Sequence, residues 1–143
     1  MIQAHQPVEI SVINENFIQQ LEKDMKNYDI LYICAPFGWG KNQLMEEIYR
    51  IWSDQNVFWL EDQTLEQQIK SLPTTGKRIF MIPKLEKILE CGKDVFLWDL
   101  LNEKRKGDVF LIASYMTAPE RMIPYTLVNR FVSYGIESLR PTN

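Results

Sequence analysis

Residues suited to holding a phosphate stand together in one short segment, Ala35–Asn42 (APFGWGKN), followed by Gln43. A backbone that cradles a phosphate must turn sharply and present converging N–H groups. It must also lead into a helix whose first turn carries a positive partial charge. Glycine permits the turn and lets the main chain approach an anion, because no Cβ intervenes. Gly38 and Gly40 supply that freedom, and Lys41 supplies a flexible cation for terminal phosphates. Ala35 holds the place of the first glycine, while Pro36, Phe37 and Trp39 fill the turn. Asn42 stands where a serine or threonine hydroxyl normally holds magnesium. The nucleotide-binding set is therefore Ala35, Pro36, Phe37, Gly38, Trp39, Gly40, Lys41, Asn42 and Gln43, with no catalytic and no metal-ligating residue. Trp39 could stack on a base or cover the site, but packing is the simpler reading.

The elements on either side decide whether such a turn is presented to a ligand. Ile30–Cys34 (ILYIC) is apolar throughout, as a central strand covered on both faces must be. After the turn, Leu44, Ile48, Ile51 and Trp52 form the stripe of a helix packed on a sheet. Before it, Phe17, Ile18, Leu21 and Met25 share one helical face, with Asn14 or Asn16 as the cap. EISVI, within residues 1–13, reads as a short edge strand or an extended lead-in.

Further strands are expected at Val57–Leu60, Ile79–Ile82, Val109–Ser114 and Phe131–Ile136. Helical stretches are expected around Leu65–Leu72, Leu85–Leu89, Val95–Glu103 and Pro119–Asn129. Strands alternating with helices predict one α/β domain over residues 1–143, with a mainly parallel sheet of about five strands and helices on both faces. Trp52, Trp59, Trp98, Met45, Met116 and Met122 read as packing residues.

Bulk composition narrows the function. A net charge of −3 on 143 residues gives no global attraction to nucleic acid or anionic lipid. Lys104, Arg105 and Lys106 read as a solvated helix end rather than a nucleic-acid patch. Cys34 and Cys91 fit reduced, buried thiols in a cytoplasmic protein. His5 is the only histidine, so a His-based triad or zinc site has almost nothing to work with. No signal peptide or membrane span is evident.

ILYICAPFGWGKNQL resembles the phosphate loop of the signal-transduction NTPases at the N-terminus of MalT-like, LuxR-type transcriptional regulators. FIQQLEKDMKNYD is similar to the helix that precedes that loop, and VFWLEDQ to the second strand with its Trp. VFLIASYMTAP and NRFVSYGIESLRPT resemble later elements more weakly. The resemblance implies a three-layer P-loop NTPase-like fold. It also implies that the chain is an N-terminal part of a larger regulator, with ATP or ADP as ligand. Expected partners are other domains of the full chain and a second copy of it, with no direct nucleic-acid contact from this segment.

Departures from the family pattern fall on the hydrolytic machinery. Magnesium is normally held by the loop hydroxyl and by an acid at the end of a second buried strand. After Ile79–Ile82 the family carries paired Asp residues where this chain has Pro83 and Lys84. Asn42 lacks the hydroxyl, and Tyr115 follows Ser114 where an arginine is expected. Magnesium binding is therefore doubtful, and the chain is expected to bind without hydrolysing. One alternative is an active ATPase whose metal site is rebuilt from Glu61, Asp62 or Glu86. Another is an AAA+ clamp-loader-like pseudo-ATPase subunit; Arg121 and Arg130 lie near the fourth and fifth strands, and Arg130 could be offered to a neighbour, although a surface ion pair is its simpler reading.

Overall fold

The computed structural model of the chain describes residues 6–117 and 123–139. Five strands form a single sheet: β1 Ile30–Cys34, β2 Val57–Trp59, β3 Ile79–Ile82, β4 Val109–Ser114 and β5 Phe131–Tyr134. Their order is β2-β3-β4-β1-β5, and every neighbouring pair is parallel. Among the described residues six α-helices accompany them: α1 Gln6–Asp24, α2 Lys41–Ile51, α3 Leu65–Lys70, α4 Leu85–Glu90, α5 Asp94–Asn102 and α6 Ile136–Leu139. A 3-10 helix, Tyr125–Arg130, leads into β5. No described helix is long and apolar enough to cross a membrane.

The alternation of side chains along β1 builds two cores. Leu31 and Ile33 face one side and pack with Phe17 and Leu21 of α1 and Met45 and Ile48 of α2. Ile30 and Tyr32 face the other, with Leu65 of α3, Ile88 of α4 and Leu97 of α5. A strand buried on both faces has no solvated side, hence the uninterrupted apolar run. Each fully buried aliphatic side chain of this kind contributes about 1.5–3 kcal/mol. The result is the three-layer α/β arrangement expected from the alternating elements.

Strand order places the loop. The chain leaves β1 for the β2 edge of the sheet and leaves β4 for β5, in the opposite direction. The two connections leave these adjacent strands toward opposite faces, α2 on the side of Leu31 and the Tyr125–Arg130 turn on the side of Ile30, so a crevice opens outside the carboxyl ends. That crevice lies between Cys34 and Ser114, paired across β1 and β4, and Ala35 begins there, its N–H donating to Ser114 O at 3.1 Å.

Several local expectations are corrected. The first helix does not begin at an Asn cap: α1 starts at Gln6, so residues 6–13 form neither an edge strand nor an extended lead-in. The β-branched residues of EISVI disfavour a helix by only fractions of a kcal/mol each, and extending an existing helix adds one hydrogen bond per residue. The final strand stops at Tyr134, and past Gly135 the chain turns into α6. Cys91 is exposed and Cys34 only half-buried, and both are free thiols. Within the expected helix Pro119–Asn129, the described part is the 3-10 turn; Arg121 and Met122, like His5, lie outside the described residues.

Candidate functional site

Two glycines shape the turn after β1. Gly38 and Gly40 have φ of +89° and +80°, a left-handed conformation that other residues adopt at a cost. Gly40 is the residue from which α2 springs, and its carbonyl accepts the Leu44 N–H at 2.9 Å. No side chain caps this end of α2, and no acidic residue stands in its first turn. The early N–H groups have no intrahelical acceptor and carry the positive end of the helix dipole. They border a cleft of about 330 Å³, lined by Phe37, Gly38, Gly40, Lys41, Asn42 and Gln43 on this side.

Lys41 is 8% exposed, which is unusual for a lysine without a carboxylate in contact. Its Nζ donates to the carbonyls of Ala35 at 2.5 Å and Pro36 at 3.0 Å. The Phe37 ring lies 5.5 Å from Nζ and packs against Tyr115 with centroids 4.9 Å apart. Burial pushes the Lys41 pKa down, and the charge of Glu86 and the Cys34 thiol partly offset that. Burial likewise raises the Cys34 pKa, opposed by Lys41. The cation is thus held against its own loop by two carbonyls and a ring, with the Glu86 charge acting on it from beyond ion-pair contact, and an incoming anion would offer it a countercharge in contact.

The far wall of the cleft is Pro83, Lys84, Glu86 and Lys87. Pro83 and Lys84 follow β3, which ends at Ile82, and occupy the place where the family pattern has an acid. Glu86, one turn later at the start of α4, is buried and fixed by Ser114, whose Oγ donates to its Oε1 at 2.8 Å. Ser114 Oγ also accepts the Met116 N–H at 3.2 Å, which anchors the segment after β4. Met116 O in turn accepts the Tyr32 hydroxyl at 2.6 Å and the Cys34 thiol at 3.2 Å.

Of the nine predicted residues, six line the cleft directly. Ala35 and Pro36 contribute carbonyls to Lys41, and Trp39, 41% exposed, is not packed into the core. Among the three acids weighed for a rebuilt metal site, Glu86 lines the cleft, whereas Glu61 and Asp62 do not. Asp62 O instead accepts Lys93 Nζ at 2.8 Å. Ser114, which the resemblance marks as the retained serine at the end of the fourth strand, gains a role from its bond to Glu86. No group of three His, Cys, Asp or Glu converges on a metal-sized point among the described residues.

Arg130 makes the surface ion pair expected of it, at the opposite end of the sheet, its Nε 3.2 Å from Asp29. The Lys104–Lys106 cluster is not a uniformly solvated helix end: the Lys104 side chain is 10% exposed and pairs with Asp29 at 3.3 Å. Compared with known proteins, the chain matches no family model, and no curated protein is significantly similar to it.

Proposed function

We propose that the chain is a degenerate phosphate-loop regulatory domain of the kind found in LuxR-type transcriptional regulators, binding a nucleoside diphosphate or phosphate without hydrolysing ATP. The observation that carries this reading is the combination at α2. An uncapped, glycine-hinged helix start and a buried lysine without a carboxylate partner border one cleft at the switch point of a parallel sheet. Such a start offers backbone N–H groups and a dipole to an anion, and needs no metal to do so. The cleft volume, about 330 Å³, lies near the lower end of the range of small-molecule sites, about 300–1,000 Å³.

Hydrolysis has less support. Asn42 has no hydroxyl for magnesium, and the end of β3 offers a proline and a cation. Without a metal to bridge the β- and γ-oxygens, the charge of a triphosphate is poorly neutralised. A diphosphate suits Lys41 and the helix start better. The domain then works as a ligand-gated scaffold for other parts of a longer chain, or for a second copy.

Glu86 favours a second reading. Its carboxylate, in the cleft and fixed by Ser114, stands where a rebuilt metal site would need an acid, so an ATPase with Glu86 in that role is the competing function. Thermal unfolding with ADP or ATP, with and without magnesium, tests both. The proposal expects ADP to raise Tm in the absence of magnesium, by the equivalent of about 2.7 kcal/mol at a hundredfold excess over Kd. Lys41→Ala is expected to abolish the response. A magnesium-dependent ATP response that disappears in Glu86→Gln would support the second reading, and no response to any nucleotide or phosphate would refute both.

A further inference from the structure

At the opposite end of the sheet, below the amino ends of β1, β3 and β4, lies a larger cavity of about 720 Å³. Its lining carries five cations, Lys26, Lys77, Lys104, Lys106 and Arg130, and two acids, Glu22 and Asp29. The local balance of five positive and two negative charges is +3, in a chain whose net charge is −3. Both acids are already engaged. Glu22 Oε2 accepts the Trp52 Nε1–H at 2.9 Å, and Asp29 pairs with both Lys104 and Arg130. Among the described residues, Lys26, Lys77 and Lys106 therefore have no carboxylate partner.

The cationic wall is built rather than left to chance. Lys104 is nine-tenths buried, its Nζ shared between Asp29 and the Arg105 carbonyl. The Lys77 stem lies against Gly107, where an added Cβ would sit 3.2 Å from Lys77 Cγ. Asn56 Nδ2 donates to Lys77 O at 3.2 Å and Arg105 Nη2 to Gly76 O at 3.3 Å, which fixes the turn that presents Lys77. Lys26 follows the end of α1 and partly complements that helix dipole. Lys77 and Lys106 stand instead on the loops leading into β3 and β4, so helix ends do not account for them. Met25, Ile79 and Val109 supply an apolar wall beside the cations.

From this arrangement we infer that the cavity binds a small organic dianion with an apolar body, a phosphate monoester or a dicarboxylate. The unpaired ammonium groups meet the two charges, and Ile79, Val109 and Met25 cover the body. Its volume is that of an ordinary metabolite site. The inference does not depend on the reading of the Gly38–Lys41 loop, from which the cavity is separated by the length of the sheet.

Amide NMR of the isotopically labelled chain tests it, with phenyl phosphate and phthalate as the two dianions and inorganic phosphate as the charge-only control, all at constant ionic strength. The expected result is saturable shifts at Lys77, Ile79, Lys106 and Gly107, at lower concentration for at least one aromatic dianion than for inorganic phosphate. Whichever of the two binds tighter names the headgroup. The double substitution Lys77→Glu and Lys106→Glu, on exposed side chains, is expected to weaken binding about tenfold or more, while Lys41→Ala leaves it unchanged. Shifts confined to Ala35–Gln43, shifts that never saturate, or an affinity insensitive to the double substitution would overturn the inference.

Discussion

Two cations are buried at opposite ends of the sheet, and their surroundings differ in kind. Arg78, leading into β3, is 7% exposed and locked to Asp108, with Nε 3.1 Å from Oδ1 and Nη2 2.6 Å from Oδ2. The Arg105 N–H adds a third bond to Asp108 at 2.9 Å, and Arg78 Nη1 reaches Pro73 O at 3.1 Å. Lys41, equally buried, makes no ion pair among the described residues and rests on two carbonyls. A guanidinium satisfied by a fork of carboxylate oxygens has nothing left to give a ligand. An ammonium that rests on carbonyls, with a carboxylate acting only from beyond contact, retains part of its electrostatic demand. Under the proposed function, burying it costs stability that the fold recovers elsewhere, the pattern expected of a site kept for binding.

If the contrast is right, removing the two cations has opposite consequences. Arg78→Met is expected to leave Asp108 buried and unpaired, at a cost of about 3–5 kcal/mol, read as a lower urea midpoint. A loss below about 1 kcal/mol would place Arg78 among ordinary surface pairs. The same pair predicts a pH dependence. Burial alone would raise the Asp108 pKa, but the hydrogen bonds from Arg78 and Arg105 and their charges outweigh it and hold it below 3.8. Its contribution is therefore complete above about pH 4 and lost as pH falls further, through the folded value. Asp108→Asn is expected to remove that acid-limb component in denaturation series.

Gly40→Ala probes the turn between the two extremes. A Cβ there meets nothing closer than Gln43 Oε1 at 3.8 Å, so the expected loss of about 1–2 kcal/mol is backbone strain alone. Lys41→Met is the smallest change and has the opposite sign to Arg78→Met. Relieving a buried charge that has no ion-pair partner in contact is expected to raise stability by about 0.5–2 kcal/mol in thermal unfolding, while anion binding is lost. Destabilisation by Lys41→Met comparable to that of Arg78→Met would erase the distinction.

Much of the frame was legible because burial on both faces leaves a continuous apolar run, as in ILYIC and VFLIAS, and glycines punctuate the turn between β1 and α2. What remained hidden depends on neighbours distant in sequence. Nothing in Glu86 itself distinguishes an exposed helix carboxylate from one fixed by Ser114, since that requires knowing that β4 lies between β3 and β1. Lys104 looks like any solvated helix-end lysine until Asp29 is brought beside it. The start of α1 was misplaced for a local reason. Weak strand propensity in EISVI was overridden by continuation of an existing helix.

The central claim is that the turn around Lys41 still holds a phosphate although the means of hydrolysis are gone. Titration calorimetry of ADP into the chain in chelator, with phosphate release from ATP and magnesium followed on the same preparation, tests both halves together. The account predicts ADP binding that survives the chelator, disappears in Lys41→Ala, and is accompanied by no phosphate release above the no-protein control. Binding that requires magnesium, together with phosphate release that depends on Lys41 and Glu86, would contradict it.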